Sequence, residues 1–150
     1  MSLIDLSNLD LLDAVLGHHL KDEMREKLLN TYIEAYTMVL GDALNRELKE
    51  EDNKAMDKLL KDPDLTPEKL DQFYIDRIPH FQAKVVLLAL EFKKRFLLDV
   101  YKNKIAEYKT SEDKTGYEAW KQLYQDARND NWNEVGRYLA LIDSMGGKKN

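Results

Sequence analysis

Residues 78–109, IPHFQAKVVLLALEFKKRFLLDVYKNKIAEYK, constrain this chain more than any other stretch. Pro79 suits the first turn of a helix, where its missing N–H removes no bond and its fixed φ is already helical. No Gly or Pro follows until Gly116. The pattern predicts one central helix over about 79–109, a rod of roughly 45 Å at 1.5 Å per residue. On a helical wheel Phe81, Val85, Leu88, Phe92 and Phe96 fall on one side. Val86, Leu90 and Leu97 fall on a second, and Leu87, Leu98 and Ile105 on a third. Lys84, Glu91, Arg95 and Lys102 share a narrow polar stripe. A helix apolar on nearly every side is covered on nearly every side, so Leu88, Phe92 and Phe96 are expected to be buried. The apolar run 85–90 is far shorter than the roughly 20 residues a membrane span needs, and charges follow at once.

The rest of the chain also carries helical periods, and no strand-period alternation accompanies them. The expected fold is all-α, a bundle of six to seven helices around the central one. It forms a single domain over residues 1–150, with N-terminal helices in 8–62, a helix pair in 66–109 and a C-terminal hairpin in 115–145. Asn8 is placed to cap a short helix over 9–16, and Gly17 to stop it. A second helix should run from about Lys21 to Lys49. Met24, Leu28, Tyr32, Tyr36, Val39 and Ala43 form one row of its core stripe, and Leu29, Ile33, Leu40, Leu44 and Leu48 the next. Gly41 inside it suggests close packing or a bend. Glu50, Glu51 and Asp52 open a third helix, where acidic side chains favour the helix dipole. Asp62-Pro63-Asp64 breaks the chain, and Thr66-Pro67 restarts it with a cap and a proline in the first turn. Asn131 should cap the last helix. Gly146-Gly147 should end it, leaving Lys148-Lys149-Asn150 as a loose tail.

Charge narrows the functional classes. Net charge is −5 and there is no cysteine, which removes disulfide and thiolate chemistry. Residues 1–76 hold 9 Lys and Arg against 18 Asp and Glu, whereas residues 77–109 hold 8 against 3. An acidic first half beside a basic helix suits intramolecular attraction and argues against nucleic acid as the main partner. The acidic residues among the first 16 give no sign of a secretory leader, so a cytoplasmic location is expected.

Two resemblances follow from particular residues. The LLDAVLG opening at Leu11, the long acidic-flanked second helix and the IPHF corner before a Lys-rich helix resemble a short helical family from small-genome bacteria. It has no assigned activity, so the resemblance implies none here. Residues 117–145 resemble one tetratricopeptide-like hairpin at Trp120, Leu123, Ala127, Gly136 and Tyr138, with Tyr124 where a small residue is usual. Such repeats need about three units for stability and the chain holds no second copy. A plain αα-hairpin on the central helix is the expectation carried forward.

Candidate chemistry is sparse. His18, His19, Asp22 and Glu23 form a metal-like cluster, but no HExxH spacing supports it. His80 has no nucleophile-bearing motif beside it, and no phosphate-binding glycine loop is present. No catalytic residue, cofactor or metal ligand is assigned. The leading expectation is a non-catalytic protein-interaction or assembly module with an unidentified protein partner and no membrane role. Trp120, Tyr124, Trp132 and Tyr138 are its candidate contacts, because amphipathic aromatics are enriched at interfaces. Trp132, just after a cap, is the best placed for exposure. The alternative is a nucleic-acid- or ribosome-associated accessory protein using the basic segment 93–104, led by Lys93, Lys94 and Arg95. A monomer is favoured over a homodimer, with Trp120 or Tyr124 folding back onto the Tyr101–Tyr108 face.

Overall fold

The computed structural model describes residues 2–146. Among them the chain forms α1 (Leu11–Ala14), α2 (Asp22–Asn45), α3 (Glu50–Leu60), α4 (Pro67–Arg77), α5 (Phe81–Lys109), α6 (Lys114–Arg128) and α7 (Trp132–Gly146). Two short 3-10 segments, Leu3–Asn8 and Gly17–His19, flank α1, and no described residue is in a strand. The fold is all-α. No described helix is long and apolar enough to cross a membrane. Gly147 and the expected tail 148–150 lie outside the described residues.

In place of one core around α5, the chain divides into two compact units. One comprises Met1–Leu29 and Leu90–Asn150, the other Asn30–Ala89, so α2 and α5 each contribute to both.

The first unit is built on the later part of α5. Leu90, Leu97 and Tyr101 form its buried stripe, at the i, i+7, i+11 spacing of one helix face. Leu6, Ala14, Trp120, Leu123, Ala127, Trp132, Val135 and Leu139 complete the core. Tyr101 is fully buried; its hydroxyl donates to the Ala14 carbonyl at 2.9 Å and its ring lies 5.8 Å from that of Trp120. The expected fold-back of the C-terminal hairpin onto this face is therefore present. Gly116 permits it. Any β-carbon there would lie 2.7 Å from Cε1 of Tyr108 and 2.6 Å from the Asp113 carboxylate, which caps α6 by accepting from Gly116 N at 2.8 Å.

The second unit packs Leu44, Leu48, Met56, Phe73 and Ile78. Thr66 caps α4 as expected, accepting from Lys69 N at 3.2 Å, with Pro67 in the first turn. Arg77 lies over the Phe73 ring at 3.7 Å and donates to Asp52 at 3.2 Å, tying α4 to α3.

Several sequence expectations need correction. Asn8 ends a 3-10 segment, and Asp10 caps α1 instead, accepting from Asp13 N at 3.2 Å. Pro79 stands outside α5. Ile78 is extended, as a residue before proline prefers, and His80 turns the corner in the left-handed region at φ 57°. Leu88, Phe92 and Phe96 are half-buried, while Val86 and Leu87 are 57% and 48% exposed. The later part of α5 buries one stripe, while the first part packs only half-buried Phe81, Val85 and Leu88 against the second core, so the helix's all-round apolar character exceeds what its neighbours cover. The core stripe expected on α2 is likewise open: Leu44 is buried, but Met24, Ile33 and Val39 are exposed. Gly41 allows no close packing, for a β-carbon there would meet nothing within 4 Å.

Burial pushes the Tyr101 phenol above its ordinary ionisation range. Above about pH 10 the unfolded chain ionises this tyrosine and the folded chain does not. The unfolded state then binds fewer protons, so stability holds below that pH and falls as pH rises beyond it. Tyr101→Phe should lose about 1–3 kcal/mol at neutral pH by leaving the Ala14 carbonyl unpaired. It should also show a shallower alkaline decline than the parent. Urea unfolding from pH 8 to 11 checks both, followed by tryptophan emission, because both tryptophans lie in the first unit.

Candidate functional site

The expected contact residues divide by burial. Trp120 and Trp132 are 2% and 3% exposed, so Trp132 is a core residue and not the exposed anchor its place after a cap suggested. The reason lies in the α6–α7 turn. Asp130 takes the left-handed conformation at φ 60°, which turns α7 back along α6 and points the indole inward. The Trp132 N–H donates to the Asp130 carboxylate at 3.2 Å, whereas the buried Trp120 N–H has no partner among the described residues. Tyr124 and Tyr138 are half-buried. Tyr138 lines a shallow surface depression with Glu134, Arg137 and Leu141.

The basic run is largely internal. Lys93 donates to the carbonyls of Leu6, at 3.1 Å, and Leu9. Burial holds its ammonium below the ordinary lysine range, against an opposite pull from Asp10. Lys94 donates to the Arg128 carbonyl at 3.1 Å and pairs with Asp130 at 3.0 Å, so it caps the end of α6. Arg95 and Lys102 are exposed. Of the expected metal-like cluster, Asp22 pairs with Arg25, and neither it nor Glu23 joins the histidines. His80 is exposed.

One concavity was not marked by any motif. Within the second unit, α2, α4 and the start of α5 enclose an open groove of about 450 Å³. Leu40, Leu44, Leu70, Tyr74, Phe81 and Val85 wall it, with Ile75 exposed on its edge. The Tyr74 and Phe81 rings stack at 5.4 Å and 10°, fixing one wall. Thr37, Asp71 and Gln82 supply its polar groups. The Thr37 hydroxyl is already donated to the Ile33 carbonyl at 2.8 Å. Ile33, one turn earlier on the same row of α2, is 56% exposed and extends the apolar surface. Burial raises the Tyr74 phenol above its ordinary range, which keeps it neutral. The one signal in the sequence was an apolar stripe on α2 wider than a single neighbour could cover.

No protein family, no curated protein and no solved structure matches this chain. The two resemblances drawn from residue pattern therefore rest on those residues alone.

The placement of the basic run predicts unequal roles. Lys94→Met should lower stability by about 1–2 kcal/mol, because it frees the Arg128 carbonyl and leaves Asp130 without its cation. Arg95→Met should leave stability within about 0.5 kcal/mol of the parent, as for an exposed residue. Urea midpoints of the two variants make the comparison.

Proposed function

We propose that this chain is a non-catalytic protein-binding module, and that the groove between α2, α4 and α5 receives an apolar segment of its partner. The observation that carries the reading is the groove itself: apolar walls from three helices, a stacked Tyr74–Phe81 pair, and exposed Ile75 and Ile33 at its edge. A groove of about 450 Å³ holds a few large side chains, the scale at which an amphipathic helix inserts its anchors. Its polar groups orient a ligand and include no nucleophile paired with a base. Charge favours a basic flank on the partner, since residues 30–89 carry 12 Asp and Glu against 8 Lys and Arg. The nucleic-acid alternative draws less support, because Lys93 and Lys94 already serve backbone carbonyls.

A photo-crosslinking amino acid at Ile75, with a second variant labelled at exposed Glu118 on α6 as control, tests the reading in cells. Irradiation should give a discrete protein adduct from position 75 and not from 118. Ile75→Glu should then weaken binding of the identified partner at least tenfold. Equal adducts from both positions, none from either, or an adduct to nucleic acid would overturn the proposal.

A further inference from the structure

Gly41 lies within α2, where glycine weakens a helix relative to alanine. Two common reasons for a glycine in such a place are absent. Its φ is not positive, and a β-carbon built on it would meet nothing within 4 Å. What Gly41 does face is the groove. Thr37 lies one turn before it and Leu44 one turn after, and all three line the groove from one face of α2. The α4 wall carries a second unexplained group. Asp71 lines the groove beside Tyr74 and is exposed, and its side chain makes no ion pair or hydrogen bond among the described residues. Glu68, one turn before Asp71, is exposed and likewise unpaired among them. Lys84, beside Val85 on α5, is committed to Glu47.

These two positions describe an occupant. A bare backbone position among apolar neighbours accepts the close approach of another backbone. A helix laid there presents apolar side chains at i, i+3, i+4 and i+7 to the walls of the groove. Filling the groove also takes water away from Asp71, and a carboxylate so covered requires a cation. A lysine or arginine on the entering helix supplies it, with its stem along the apolar wall and its charge at the rim. On the reading that the groove is the partner's binding site, we propose that its occupant is a basic amphipathic helix crossing α2 at Gly41. Its backbone lies against that residue, and one of its lysine or arginine side chains pairs with Asp71. Gly41 sets how closely the helix seats, and Asp71 selects its charge. An acidic helix is rejected, because it would set like charge against Asp71 and Glu68.

Selection of displayed helical peptides of about 16 residues against the full chain tests the proposal. Selected peptides should carry apolar residues at helical spacing with a lysine or arginine on the flank. Fluorescence anisotropy then measures one selected peptide against variants of the chain. Gly41→Leu should weaken binding at least tenfold. Its urea midpoint should stay at or above the parent's, because the space over Gly41 is open and leucine favours a helix. Asp71→Lys should weaken binding at least fivefold. Replacing the peptide's flanking basic residue by glutamate should restore binding to Asp71→Lys and not to the parent. Ile75→Glu separates this proposal from the groove reading beneath it. Binding lost with Ile75→Glu but unchanged by Gly41→Leu or by Asp71→Lys would overturn the proposal and leave the groove reading standing, as would selected peptides without a basic residue. Binding that Ile75→Glu leaves unchanged, or no selected peptide, would overturn both.

Discussion

The first unit depends on one buried phenol. Tyr101 lies on the stripe of α5 that faces the core, and burying so large a ring requires a partner for its hydroxyl. The Ala14 carbonyl provides it, at the end of α1, while Trp120 of α6 covers the ring. One side chain therefore ties the amino-terminal segment, the central helix and the carboxy-terminal hairpin together. Contacts this distant in sequence make the unit cooperative, since no single helix here buries enough surface to stand alone.

Much of the fold was legible because its signals are local. Thr66-Pro67 fixes a helix start by cap and φ alone, and Asp62-Pro63-Asp64 interrupts the chain by turn chemistry. The C-terminal hairpin followed from two apolar stripes and the short turn at Asn129-Asp130-Asn131. What was not legible depends on which neighbours each helix meets. The wheel of α5 shows three apolar faces but cannot say that only the stripe through Leu90, Leu97 and Tyr101 is buried. The same limit explains Trp132. Its place after a cap suggested exposure, whereas the left-handed Asp130 sets the direction in which the indole leaves the turn.

The groove and the surroundings of the histidines were hidden for related reasons. The groove is a space between α2, α4 and α5, and its walls come from residues that each read as ordinary core. By sequence the histidines group with Asp22 and Glu23, which follow them at helical spacing. The chain instead turns back at Leu16 and presents His18 to Asp10 and Asp13. Lys93 and Lys94 show the converse. A run of positive charge read as a possible surface for phosphates, yet both ammonium groups meet backbone carbonyls at the ends of helical segments, where the dipole favours a cation.

If the hairpin's tryptophans are core, neither serves as a contact for the proposed partner, and that is the claim on which the functional reading turns. Acrylamide quenching of tryptophan emission tests it directly, because Trp120 and Trp132 are the chain's two tryptophans. Both should emit at short wavelength and resist quenching in the native protein, and become accessible together when urea unfolds the first unit. Quenching of either one in the native state as efficient as in the unfolded chain would contradict the account.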